Sequence, residues 1–273
     1  MQQQTRPGGQ PVTELSQLTV CWFEQPSNEE VRVCLRLEDL FARLDQCLRD
    51  DSAHSSHAAI ATLSHLCNAT DRNDLSSKLQ KLTIQQLDRI QGYAKSPAID
   101  LPKLKALMET ISHDAASLKQ HTPKPGEQLR QNYFFNSIRQ QVNSPNGLAS
   151  FDSPQYCLWM RQSAEKRRAC LEDWLNDFSF LRRVVASNLN LIRENRETKK
   201  VVTERGLFEQ PMDKSRSCLL VRVRVDGEGS FYPIISVGKH QINIQLQRIQ
   251  DIANDLPQKS YAELPMTLHF CYA

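Results

Sequence analysis

The sequence predicts an α+β fold: a mostly α-helical N-terminal domain, then a smaller antiparallel β-domain, with an N-terminal strand joining the sheet. Three observations carry this reading. From about residue 29 to residue 194 apolar side chains recur at steps of three and four, and past Asn195 they alternate at a period of two. A single period-two segment precedes the first helix and has no neighbour in sequence to pair with. The boundaries that follow are a flexible leader over 1–16, a helical domain over 17–196 whose strand 17–24 pairs with the C-terminal sheet, and a β-domain over 197–273.

The leader is rich in Gln, Thr, Pro and Gly and has little to bury. In the strand, Leu18, Val20 and Trp22 alternate with Thr19, Cys21 and Phe23, and both faces are apolar enough to imply burial. The chain turns at Pro26 and enters a helix through the box Ser27-Asn28-Glu29-Glu30, in which Ser27 is expected to bond the N–H of Glu30 and Glu30 to reach back. Along that helix Val33, Leu37, Leu40, Leu44 and Cys47 mark a buried face. Arg32, Arg36 and Arg43 form a stripe within about 40° on another.

Further helices are expected at about 54–68, 74–93, 100–119, 126–142, 154–163 and 166–194, divided by Asp71-Arg72-Asn73, Ser96-Pro97, Thr122-Pro123-Lys124-Pro125-Gly126 and Ser144-Pro145-Asn146-Gly147. The last has the clearest period, Leu171, Trp174, Leu175, Phe178, Leu181, Val185, Leu189 and Ile192, with a break near Asn176 to Ser179. Arg196 to Arg205 reads as a charged connector. Leu219, Val221, Val223 and Val225 then alternate with Leu220, Arg222 and Arg224, a half-buried strand with a basic outer face. Asp226-Gly227-Glu228-Gly229 reads as a hairpin turn; strands follow at Phe231 to Val237, His240 to Leu246 and Met266 to Cys271.

Composition narrows the function. With 40% hydrophobic and 24% charged residues the chain is globular, and a net charge of +3 is too small to argue for a polyanion partner. No apolar run is long enough to span a bilayer and residues 1–10 lack the core of a secretory signal, so a cytoplasmic protein with no membrane partner is expected. The eight cysteines contain no Cys-x-x-Cys pair and read as reduced, packing thiols.

Catalytic motifs are missing: no Gly-rich phosphate loop, no Gly-x-Ser-x-Gly elbow, no His-Glu-x-x-His. The reading is therefore non-enzymatic, with no cofactor. His54, His57, His65 and Cys67 fit no familiar ligand spacing, so no metal is expected. Arg182-Arg183, Lys199-Lys200, Arg193, Arg196 and Arg205 offer phosphate contacts, which keeps a nucleic-acid-associated helical protein as the alternative, although Glu194, Glu197 and Glu204 interrupt them. The stripe has two readings. Glu29–Arg32, Arg36–Asp39 and Asp39–Arg43 pairs would make it a solvated face, each pair contributing a few tenths of a kcal/mol. Converging with Arg130, Arg139, Arg161, Lys239 and His240, it would form a groove for a carboxylate-bearing peptide.

Four segments, in register along the chain, resemble one family. Trp22-Phe23-Glu24-Gln25-Pro26 with Asn28-Glu29, Arg32 and Leu35-Arg36-Leu37-Glu38 is similar to the opening of ZapD, the Z-ring-associated protein D of bacterial cell division. Ser150-Phe151-Asp152-Ser153-Pro154 with Leu158-Trp159, then Leu189-Asn190-Leu191-Ile192-Arg193, and Phe231-Tyr232-Pro233-Ile234-Ile235-Ser236 continue it. The resemblance implies a homodimer at the midcell division site. There it would bind the C-terminal tail of the tubulin-like GTPase FtsZ through a basic pocket of the helical domain and bundle its filaments. On this implication Arg36 matches a pocket arginine, and Arg32, Arg130 and Arg139 match basic positions. Tyr133 and Cys157 stand where relatives carry a basic residue and a histidine, and Arg161, four residues after Cys157, is expected to restore charge.

Overall fold

A computed structural model describes residues 21–93, 100–120, 124–142, 144, 151, 153–213, 215–226, 230–238 and 240–273. The leader, 1–16, and residues 17–20 of the early strand therefore lie outside the described residues, and Cys21 and Trp22 are not in the strand. The strand is described from Phe23 to Pro26 (β1), so Pro26 closes it rather than opening the turn.

Helix α1, Glu29–Arg49, buries Val31, Val33, Cys34, Leu37, Phe41 and Leu44. Its cap departs from the sequence reading. Asn28, not Ser27, accepts from the Val31 N–H at 2.9 Å, while the Ser27 N–H and hydroxyl donate to the carbonyls of Leu219 and Cys218. Glu30 is drawn away to Lys81 at 2.7 Å. Two adjacent residues compete for one cap, and the sheet takes Ser27.

Helices α2 (Ala53–Thr70), α3 (Leu75–Tyr93) and α4 (Leu101–Gln120) follow as predicted. The 126–142 segment divides into α5 (Glu127–Gln131) and α6 (Tyr133–Val142) at Asn132, whose side chain caps α6 by accepting from Phe135 N–H at 2.9 Å. Helix α7 is Pro154–Met160, and the expected break separates α8 (Ala164–Asn176) from α9 (Ser179–Glu194). The helices share one core that includes Leu37, Leu63, Leu79, Phe135, Trp174 and Leu189.

Residues 196–202 are not a connector but strand β2, Arg196–Val202, paired antiparallel with β8, Pro265–Tyr272. The strands also form two sheets rather than one. The first has the order β1-β4-β8-β2, with β4 at Cys218–Val225; the second has β3 (Leu207–Pro211), β6 (Gln241–Arg248) and β5 (Phe231–Val237), with the short β7 (Gln258–Lys259) on β6. Strands β4 and β5 lie in different sheets, so Asp226 to Gly229 joins two sheets instead of closing a hairpin; residues 227–229 lie outside the described residues.

Alternation explains this layering. Val221 and Val223 of β4 and Leu268 and Phe270 of β8 meet Ile242, Ile244 and Leu246 of β6 between the sheets, while Leu220 and Cys271 face the helical core. Strand β1 pairs Phe23 with Val223 and Pro26 with Leu220, so the strand before α1 joins the C-terminal sheet. Arg193, at the end of α9, binds Glu24 of β1 and Glu38 of α1, and Arg222 of β4 completes the cluster on Glu24 at 2.6 Å.

Candidate functional site

The C-terminal end of α2 is where most of the candidate arginines gather. Val33 and Leu37 of α1, Ala69 of α2 and Leu75 of α3 floor a cleft of about 170 Å³. Arg36, Arg72 and Lys78 rim it with Asp74. Lys78 holds Asp74 at 2.7 Å and Arg72 approaches it at 4.0 Å; the lysine's hydrogen bond leads in keeping that carboxyl below the usual range. Arg36 is exposed and makes no ion pair among the described residues. A second hollow of about 260 Å³ adjoins across Arg72 and Leu75 and adds Thr70, Asn73, Ser76, Lys124 and Pro125.

Arg130 and Arg139 lie behind this end of α2, and their guanidiniums are occupied. Arg130 donates from Nε to Asp71 Oδ1 at 2.7 Å and from Nη2 to Thr70 Oγ1 at 2.6 Å and the Cys67 carbonyl at 3.1 Å. A further bond to the Pro125 carbonyl ties in the turn that leads to Gly126. Arg139 reaches Asp71 Oδ2 at 2.8 Å and Asn68. Cationic side chains at a helix C-terminus satisfy its open carbonyls and its dipole. Partial burial pushes the Asp71 carboxyl up, but the Arg139 hydrogen bond and the charge and hydrogen bond of Arg130 outweigh it and hold the group below the usual range.

The remaining candidates do not line either hollow. Arg32 pairs with Glu29 at 3.1 Å, and Arg43 with Asp39 at 2.7 Å, as a solvated face predicts; Arg36 is the member of the stripe that faces the cleft. Tyr133 begins α6 and is 80% exposed. Cys157 is half-buried on α7, and Arg161, exposed, follows it by one turn with its N–H on the Cys157 carbonyl. Phe134 against Trp159, and Trp159 stacked on Trp174, fasten α7 to α6 and α8. His240 lies in the β5–β6 connection and does not line the cleft, and Lys239 is outside the described residues.

Arg72 and Lys78 were missed by the sequence reading. Asp71-Arg72-Asn73 reads as punctuation between helices, and Lys78 lies in the first turn of a helix with no motif around it. Of the seven basic residues offered for phosphate contacts, the three on α9 are committed to ion pairs. Arg182 pairs with Asp45, Arg183 with Asp114, and Arg193 with Glu24 and Glu38. Such pairing lowers the surplus charge that backbone recognition needs on α9, whereas Arg196, Lys199, Lys200 and Arg205 make no ion pair among the described residues.

The family profile described as "Cell division protein", ZapD, matches residues 35–245. The chain belongs to the ZapD family. Its relatives include Cell division protein ZapD of Coxiella burnetii (strain RSA 331 / Henzerling II), 33% identical over 253 residues, which cover 93% of this chain and 98% of that one. Cell division protein ZapD of Cupriavidus necator is 34% identical over 251 residues, covering 91% and 98%. Membership in the ZapD family makes this a cell division protein. No helix among the described residues is long and apolar enough to cross a membrane.

Proposed function

We propose that this chain is a non-enzymatic division factor that binds the C-terminal tail of FtsZ in the cleft rimmed by Arg36, Arg72 and Lys78. As a homodimer in the cytoplasm at midcell, it then bundles FtsZ filaments and supports the Z-ring and septum assembly. One observation carries the reading: Arg36, without an ion pair among the described residues, stands over an apolar floor formed by Val33, Leu37, Ala69 and Leu75. That arrangement suits a short acidic or amphipathic peptide, whose carboxylate takes the guanidinium while an apolar side chain lies on the floor. Arg130 and Arg139 add field at this end of α2, reduced by Asp71 between them.

Each contact is modest, and two sites on a dimer multiply it along a filament. Co-sedimentation with polymerised FtsZ, intact and lacking its tail, tests the proposal. The chain is expected in the pellet only with intact filaments; equal pelleting with tailless filaments overturns the reading.

A further inference from the structure

Among the described residues, three of the four sheet edges are limited by brevity or proline. Strand β1 is four residues long and ends in Pro26, β3 ends in Pro211, and β5 carries Pro233 within it. Proline removes a ladder donor and limits pairing. Strand β2 differs: it has seven residues, no proline, and among the described residues pairs only with β8. All of it is exposed except the half-buried Val201. The far side of such a strand presents alternate backbone N–H and C=O groups to solvent.

The charge on this edge selects the occupant. Register with β8 places Arg196, Thr198, Lys200 and Val202 on one face and Glu197, Lys199 and Val201 on the other. The carboxylate of Glu197 is already taken by Arg216 at 2.8 Å, which leaves the strand cationic. Lysines on an edge repel another basic strand, including a second copy of β2. We infer that β2 is a docking edge for an acidic extended segment of a partner protein, which adds to the sheet as a strand beside Arg196–Val202. Backbone pairing would hold the segment, and Arg196, Lys199 and Lys200 would favour carboxylates at cross-strand positions. This surface lies on the sheet, apart from the cleft at α2, and does not depend on the cleft's function.

The test uses the full chain and an acetylated, amidated peptide Glu-Thr-Glu-Val-Glu-Thr-Glu. Hydrogen exchange across residues 196–202 is expected to slow at least five-fold at saturation. Fluorescence anisotropy should show at least five-fold weaker binding after Lys200→Glu, and the same loss when proline replaces the peptide's central valine. The peptide variant leaves the protein untouched, so its result is independent of folding. No binding, equal binding of the proline peptide, or protection confined to α1–α3 each overturns the inference.

Discussion

Arg193 and Glu24 meet at two points, Nε to Oε1 at 3.0 Å and Nη2 to Oε2 at 2.7 Å, across a sequence separation of 169 residues. The same guanidinium holds both oxygens of Glu38 at 2.7 Å. The end of α9 is thereby tied at once to β1 and α1. Glu24 and Arg222 are each only 18% exposed, so removing Glu24 leaves Arg193 with Glu38 alone and strands Arg222, a charge that water reaches poorly and that has no other ion pair among the described residues. Glu24→Gln is expected to destabilise the protein by about 2–3 kcal/mol, less than the roughly 3–5 kcal/mol of fully buried pairs because these side chains are partly exposed and Arg193 keeps Glu38. Arg43→Ala, at a pair whose members are 61% and 57% exposed, should cost under about 0.5 kcal/mol. Urea midpoints of both variants check the contrast.

Asp71 gives the structure an acid-sensitive point. Its folded pKa lies below the ordinary value despite the opposing effect of burial. The stabilisation is therefore fully present above the unfolded value of about 4 and is lost as pH falls through the lower folded value. Asp71→Asn should lose about 1–2 kcal/mol at pH 7, a figure reduced because the carboxylate is half-exposed. The variant's stability should also vary less than the parent's as pH falls from about 4. Thermal unfolding across an acid pH series reads both effects.

Gly206 sits where the chain passes from the first sheet to the second, at φ +72°, in the left-handed region that an L side chain avoids. Its carbonyl accepts from the Leu246 N–H at 2.8 Å. A Cβ there would stand 1.7 Å from the Ser260 carbonyl oxygen, which is backbone and has little room to yield. Gly206→Ala is expected to cost more than the roughly 1–2 kcal/mol of the dihedral alone. A lowered melting temperature with Arg36-dependent binding retained would place the damage in the sheets.

The sequence made most helices legible because their apolar period has one cause, a shared core, and α9 keeps it from Leu181 to Ile192. Caps were less legible. Ser27 and Asn28 are both good cap residues, and the choice rests on carbonyls about 190 residues away. Strand β2 escaped notice because an edge strand with one inward Val201 has no apolar alternation to find. The division into two sheets left no local mark, since inward-facing positions look alike whichever sheet they serve. At the cleft, the stripe and its resemblance pointed to Arg36, whereas no periodicity marks a turn such as Asp71-Arg72-Asn73. The commitment of Arg130 and Arg139 to Asp71 spans 59 and 68 residues and follows from how α2, α5 and α6 pack.

That commitment separates the arginines by expected effect. Arg36 is exposed and unpaired among the described residues, so Arg36→Ala should leave stability nearly unchanged and weaken FtsZ-tail peptide binding about ten-fold, or about 1.4 kcal/mol. Lys78→Ala should weaken it less, because that ammonium already serves Asp74. Arg130→Ala should lower both stability and binding, since it unfastens the end of α2 along with removing charge. Arg161 lines neither hollow; if it restores the charge missing at Tyr133 and Cys157, Arg161→Ala should weaken binding by about two- to three-fold through its field. Unchanged affinity for Arg161→Ala beside a loss for Arg36→Ala would remove Arg161 from the site. All of these contacts are screened, so peptide affinity and filament bundling should fall together from 50 to 300 mM salt, over which the screening length shortens from about 14 to about 6 Å. Salt-independent bundling in sedimentation would mean that the apolar floor, not the arginine rim, holds the tail.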